Sequence, residues 1–164
     1  MDNFLLTNLI GQYKSDSESV YNTWFIGSEA RMKAFRSIRR GVRDTVSLID
    51  VIWLKKDTSE IVSAFEVEKS TSIYSGILRL EDLARSIPVE NCACHFYLVA
   101  PSARAKEVVA QLARPAFRST VADNSFAFIT FDDLHAHCDA LCRFGEDHRV
   151  LRKVVFSGSA AHQI

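Results

Sequence analysis

Asp50, Glu66 and Glu68 are the residues of this chain best placed to do chemistry together. Asp50 lies in the apolar run Ser47-Leu48-Ile49-Asp50-Val51-Ile52-Trp53-Leu54, and the glutamates in Ala64-Phe65-Glu66-Val67-Glu68-Lys69-Ser70. Side chains two apart on a strand share a face, so Glu66 and Glu68 point the same way, and a hairpin around Asp57-Thr58-Ser59 brings Asp50 opposite them. Carboxylates gathered in an apolar setting repel one another and persist only with a cation or protons. Their oxygens suit Mg²⁺ or Mn²⁺. Because Mg²⁺ is usually held by one or two carboxylates together with substrate phosphate oxygens, a phosphodiester is the natural substrate. A plainer reading makes Glu66 and Glu68 the solvated face of an edge strand, with Phe65 and Val67 inward. The nearly continuous apolar runs Val51–Leu54 and Ile61–Phe65 favour strands buried on both faces, and with them the acidic cluster.

The elements that must position these acids can be read from periodicity and end signals. Asn3 to Tyr13 can form a short helix, and Ser15-Asp16-Ser17 offers N-caps for a second helix from Glu18, which Gly27 interrupts. Its continuation from Glu29 to Asp44 places Phe35, Ile38 and Val42 at helical spacing, with Gly41 lowering the propensity near its end. Strands follow at about 46–54 and 61–68. Ser70, Thr71 or Ser72 caps the next helix, whose Ile73, Ile77, Leu80 and Leu83 recur at three and four, and which Pro88 ends. A strand near 94–99, a helix near 103–113, a strand over 126–130 and a helix near 132–143 complete the series. The fold class is α/β (α+β), a central mixed sheet flanked by helices. The expected divisions are a helical amino-terminal segment over 1–45 packed on the core, a core over 46–145, and a tail over 146–164.

Composition sets the outer bounds. With 164 residues, 48% of them hydrophobic, the chain fits one domain with a substantial core. Twenty basic and twenty acidic residues cancel, which argues against a protein that coats nucleic acid through net charge but leaves room for a local basic face. No stretch approaches the roughly 20 apolar residues of a membrane span, and the start lacks the basic region of a secretory signal, so a soluble cytoplasmic protein is expected. Four cysteines do not make a disulfide framework in a chain of this size.

At the acidic residues the sequence resembles the PD-(D/E)xK nuclease superfamily, the restriction-endonuclease-like fold, in an acidic ExE variant. Asp50 corresponds to the first acid and Glu66 to the second; Glu68 falls where Lys is usual, and Ile49 replaces the loosely kept Pro. The resemblance continues through Ser70-Thr71-Ser72-Ile73-Tyr74-Ser75-Gly76-Ile77-Leu78-Arg79 and Phe96-Tyr97-Leu98-Val99-Ala100-Pro101 to about Phe117, a little under half the chain. Superfamily cores usually open with a helix and a strand ahead of the first acid. Here a helical segment is expected to run directly into the Asp50 strand. The stretch from Glu18 through Arg43 looks instead like the head of longer proteins that carry such a nuclease domain at their far end. The chain thus reads as a shortened or rearranged relative.

Further residues could serve a nucleic-acid substrate. Arg31, Lys33, Arg36, Arg39, Arg40 and Arg43 fall within thirteen residues that contain no acid. Such a basic side can neutralise phosphates, or be an ordinary solvated face paired with acids elsewhere. The Ser70–Ser75 junction offers hydroxyls and backbone donors at a helix start, suited to a phosphate oxygen or to N-capping alone. Lys69 lies on the face opposite Glu68 in a regular strand, and Arg79 is a second source of positive charge. Cys92, Cys94 and His95, with His135, His137, Cys138 and Cys142, invite a structural zinc reading, but their spacing matches no familiar module and Cys94 and Cys142 sit in apolar segments.

The resemblance implies a Mg²⁺-dependent (or Mn²⁺-dependent) endonuclease acting on DNA, with Asp50 and Glu66 as metal ligands and Glu68 as a ligand or water-orienting base. Arg36, Arg39, Arg40, Lys69, Ser70, Ser72 and Arg79 would contact the nucleic acid. Defence or repair is the setting in which such domains occur. The alternative is a catalytically inactive DNA-binding or interaction module on the same fold. Duplex cleavage needs two active sites or sequential nicking, which a homodimer would provide.

Overall fold

Residues 21–25, 34–55, 60–87, 94–117 and 126–137 are described by the computed structural model of the chain. They form a five-stranded mixed sheet in the order β1-β2-β3-β4-β5, with β1 Tyr21–Phe25, β2 Val51–Lys55, β3 Ile61–Val67, β4 His95–Ala100 and β5 Phe126–Thr130. The first three strands are antiparallel neighbours; β3, β4 and β5 run parallel. Parallel neighbours need a crossover, and helices α2 Ile73–Ala84 and α3 Ala105–Leu112 supply the two connections. Helix α1 Arg40–Val46 precedes β2, and α4 Phe131–Ala136 follows β5. The expected mixed sheet with flanking helices is what the chain forms.

The amino-terminal part departs from the expected helix. Residues 21–25 form a strand paired with β2, Thr23 opposite Trp53, so a strand does precede the Asp50 strand. Four of the five residues in Tyr21-Asn22-Thr23-Trp24-Phe25 are aromatic or β-branched, types that fit a pleated surface. Pairing there also covers an edge of β2 that would otherwise expose unpaired backbone groups. The helix expected over 29–44 is likewise broken: a 3₁₀ turn over Phe35–Ser37 ends at Ile38, whose ψ of 139° is extended, and α1 begins only at Arg40. Gly41 therefore falls at the start of α1 rather than at a helix end. Strand β2 starts at Val51, because α1 continues to Val46 and a turn occupies Ser47 and Leu48. The first helix expected over 3–13, the hairpin turn at 57–59 and the tail lie outside the described residues.

Both sheet faces are buried. On one, Val51, Trp53, Phe65, Val67, Tyr97, Val99 and Ile129 pack with Leu134 of α4, and the Phe65 ring lies 4.8 Å from Trp53 and 4.9 Å from Tyr97. On the other, Ile52, Leu54, Ala64 and Phe96 meet Val46 of α1 and Leu80 and Leu83 of α2, while Leu98 and Phe128 meet Ile73 and Ile77 of α2 and Val108 of α3. All seven residues of β3 are buried, as its apolar run predicts for a strand covered on both sides. The four apolar residues that the periodicity of α2 marks, Ile73, Ile77, Leu80 and Leu83, are all buried, together with Gly76 and Glu81, and Ser72 is its N-cap, accepting a hydrogen bond from the Ser75 N–H.

Candidate active site

The carboxyl ends of parallel strands are where open α/β sheets bind ligands. Here the carboxyl end of β3 meets the start of the antiparallel β2, so the two acidic segments arrive at the same edge. Asp50 stands in the bend before β2, and the register Val51 opposite Phe65 sets it across from Glu66. Ile52 and Ala64 belong to the face covered by α1 and α2, so alternation turns Asp50, Glu66 and Glu68 to that face too. The Val67 N–H donates to Asp50 Oδ2 at 2.8 Å, which fixes the aspartate against the end of β3. Glu68 N–H donates to Val99 O at 2.8 Å and extends the β3–β4 ladder by one step.

Glu66 is completely buried, and its partner comes from α2. Arg79 Nε donates to Glu66 Oε1 at 2.8 Å and Arg79 Nη2 to Glu66 Oε2 at 2.6 Å, a bidentate pair; the same Nη2 reaches Glu68 Oε1 at 3.0 Å. The Thr71 hydroxyl donates to Glu68 Oε2. Arg104, held by Glu107 through its Nε and Nη2, donates from Nη1 to the Glu68 carbonyl at 3.1 Å and pins the chain where it leaves β3. Gly76, one turn before Arg79, leaves the space that the Glu68 carboxylate fills: a Cβ there would stand 2.6 Å from Glu68 Oε1.

The Glu66 carboxyl is pushed up to about 8, chiefly by burial and also by the charges of Asp50 and Glu68, against the opposing pull of the Arg79 hydrogen bonds and charge. Arg79 is held above its usual range, chiefly by its hydrogen bonds to Glu66. The mutual influence of Asp50, Glu66, Glu68 and Arg79 makes them one electrostatic unit. Glu66 and Glu68 share one guanidinium, and Asp50 lies near enough to act on it electrostatically. Their hard oxygens are the donor type for Mg²⁺ or Mn²⁺, yet among the described residues no three acidic, histidine or cysteine side chains are arranged as the ligands of one ion. The oxygens of Glu66 and Glu68 are turned toward Arg79 and Thr71 instead.

Of the residues read as nucleic-acid contacts, Arg36, Arg39 and Arg40 are exposed around the break before α1. Arg43 is not available in the same way, because its Nη2 donates to Arg36 O and Ile38 O, both at 3.0 Å, and ties the 3₁₀ turn to α1. Lys69, Ser70 and Ser72 are exposed in the segment that links Glu68 to α2. Arg79 instead lies within the acidic centre. Arg31 and Lys33 lie outside the described residues, as do Cys92, Cys138 and Cys142 of the zinc reading. Cys94 is buried with Phe96 and Ile61 as a small apolar side chain.

Sequence reading missed the roles of Gly76, Thr71 and Arg104, and it left Arg79 between two duties. One signal was present: a glycine inside an otherwise strong helix costs about 1 kcal/mol relative to alanine, and so calls for a packing reason. The Glu68 carboxylate is that reason.

The fold and site define an α/β domain with an acidic centre at the meeting of antiparallel and parallel strand ends. The chain belongs to the family described as the type II restriction enzyme NmeDI C-terminal domain, whose model matches residues 14–151. The match takes in β1 and the break before α1 together with the sheet and its helices, so the amino-terminal segment and the core belong to one family. No curated protein and no solved structure matches the chain.

Proposed function

We propose that this domain is a metal-dependent nuclease that cleaves DNA phosphodiester bonds, with Asp50 and Glu66 holding Mg²⁺ or Mn²⁺ and Glu68 acting as a further ligand or as the base that orients the attacking water. The observation that carries this reading is the convergence of these three carboxylates on one sheet edge, in a member of a restriction-enzyme family. The strand ahead of Asp50 supports it as well, since the sheet then has the opening strand usual in the PD-(D/E)xK fold that the acidic pattern resembles.

A divalent ion bound there would polarise the scissile phosphate and lower the pKa of its bound water. The protein's own part is positioning. The Val67 N–H orients Asp50; Thr71 and the space at Gly76 orient Glu68; Arg104 fixes the backbone between them and the following helix. Arg36, Arg39, Arg40, Lys69, Ser70 and Ser72 would hold the phosphate backbone without reading bases. Two copies of the chain would supply the two sites that duplex cleavage requires. A cytoplasmic setting fits this reading, and no helix of the described residues is long and apolar enough to cross a membrane.

The test is cleavage of plasmid DNA with Mg²⁺ or Mn²⁺ by the wild type and by Asp50→Asn and Glu66→Gln, alongside thermal unfolding with and without Mn²⁺. Metal-dependent cleavage and metal stabilisation that both variants lose support the nuclease. The pairing of Arg79 with both glutamates favours a second reading, a non-catalytic DNA-binding module in which the guanidinium permanently replaces the ion. DNA binding without cleavage, and with no stabilisation by Mn²⁺, would establish that module.

A further inference from the structure

Arg79 reaches the acidic centre from the second turn of α2, whose buried residues apart from Gly76 and Glu81 are apolar. Its Nε and Nη2 occupy both oxygens of Glu66, and Nη2 also bridges to Glu68, so one guanidinium takes up the oxygens of one proposed metal ligand, Glu66, and ties it to Glu68. Glu66 is wholly buried and cannot turn to solvent for another partner, whereas the Arg79 side chain is 21% exposed and has a way out. Its long, flexible stem lets the head move while α2 stays packed. Glu68 is less free to move, being held by Thr71 and seated against Gly76.

We propose that Arg79 is the resident counter-ion of the acidic centre, and that the site is loaded by exchange: the guanidinium leaves Glu66 and Glu68 as a divalent cation enters. The inference rests on the nuclease reading and deepens it by assigning a residue outside the acidic pattern to control of metal entry. Arg79 is a positioning residue in this scheme. A single positive charge holds Glu66 and Glu68 together beside Asp50 while no metal is bound, and its replacement by the arriving ion raises the positive charge there by one. The metal-competent arrangement is then only a fraction of the metal-free protein, and the apparent affinity for the ion is lowered by that fraction.

The experiment is Mn²⁺ binding, followed by calorimetry and by electron paramagnetic resonance, to the wild type, Arg79→Met, Arg79→Lys and Asp50→Asn without DNA. Removing the competitor should tighten Mn²⁺ binding about tenfold in Arg79→Met, with a smaller gain in Arg79→Lys, which keeps the charge but not the fork. Arg79→Met should also unfold at a lower temperature than wild type without metal and recover more on adding Mn²⁺. Unchanged or weaker Mn²⁺ binding in a folded Arg79→Met would overturn the proposal.

If that variant fails to fold, the wild type carries the test through the ¹⁵N–¹H resonance of Arg79 Nε, titrated with Mg²⁺. Exchange predicts loss of its protection from solvent in step with metal binding. Protection that survives saturation by Mg²⁺ would overturn it. Failure of the parent reading looks different: neither wild type nor Arg79→Met would bind Mn²⁺ in a manner that Asp50→Asn abolishes.

Discussion

At the acidic centre, Glu66 is buried with both carboxylate oxygens bonded to Arg79, whereas Arg36, Arg39 and Arg40, some thirty residues earlier, stand exposed around a break in the chain. Both regions are dense in charge. In the first, removing water makes each charge depend on its neighbours, so one substitution changes the state of four residues. In the second, water screens each arginine separately, and single substitutions should have small, additive effects. Residues that could carry chemistry therefore sit where coupling is strong, and residues that could carry general affinity sit where it is weak.

The largest effect expected is on cleavage. Glu66→Gln keeps the shape of the side chain and should lower metal-dependent cleavage by at least roughly a hundredfold, the lower end of what a positioned acid or base contributes. Gel assays of nicked and linear plasmid measure it; wild-type rates in this variant would remove the acidic centre from the chemistry.

Arg79→Met should destabilise the metal-free protein by roughly 1–3 kcal/mol, the cost of leaving the buried oxygens of Glu66 and Glu68 without their hydrogen-bond donor. Urea unfolding measures this directly. A loss below about 0.5 kcal/mol would mean that the pair behaves like a surface ion pair, and the contrast between the two regions would collapse.

The same centre predicts a pH dependence. Folded Glu66 keeps its proton up to about pH 8, against 4.5 for an ordinary glutamate, so between these values the folded state binds more protons than the unfolded state. The stability contributed by this group is full below about pH 4.5 and is lost as pH rises through 8. Glu66→Gln should flatten that slope in metal-free unfolding curves, and an identical slope in both proteins would contradict the assignment.

A smaller change tests the seating of Glu68. Gly76→Ala gains helix propensity but drives a methyl group against the carboxylate, and should be destabilising by roughly 1–2 kcal/mol net. A more stable Gly76→Ala protein would show that Glu68 moves aside at little cost.

The smallest effects belong to the exposed arginines. Neutralising Arg36, Arg39 and Arg40 together should weaken binding to all DNA sequences alike and reduce the logarithmic salt slope by up to about one unit per lost contact. Mn²⁺ binding should not change. An unchanged salt slope would make this segment an ordinary solvated surface and shift the phosphate contacts to Lys69, Ser70 and Ser72.

Much of the sheet and of its helical cover was legible in the sequence, because local signals and tertiary demands agree there. The apolar run of β3, the alternation that sets Glu66 and Glu68 on one side, the three-and-four spacing of α2 and its cap at Ser72 all survive in the fold. Where a local signal had a close competitor, reading failed. The serine and aspartate before Glu18 suggest a helix start, but the aromatic and β-branched residues of 21–25 pair with β2 instead, and an open sheet edge is a demand that no window of sequence contains.

The acids themselves followed from residue type and spacing, since a period of two places Glu66 and Glu68 together wherever the strand lies. Their state did not. That Asp50 accepts the Val67 N–H, that Arg79 spans both glutamates, and that Gly76 is the seat of the Glu68 carboxylate depend on how α2 lies against the end of β3. Periodicity fixes the direction of a side chain along its own element, whereas the partner that meets a buried charge is set by packing between elements distant in the chain, and in a water-free site that partner decides the charge.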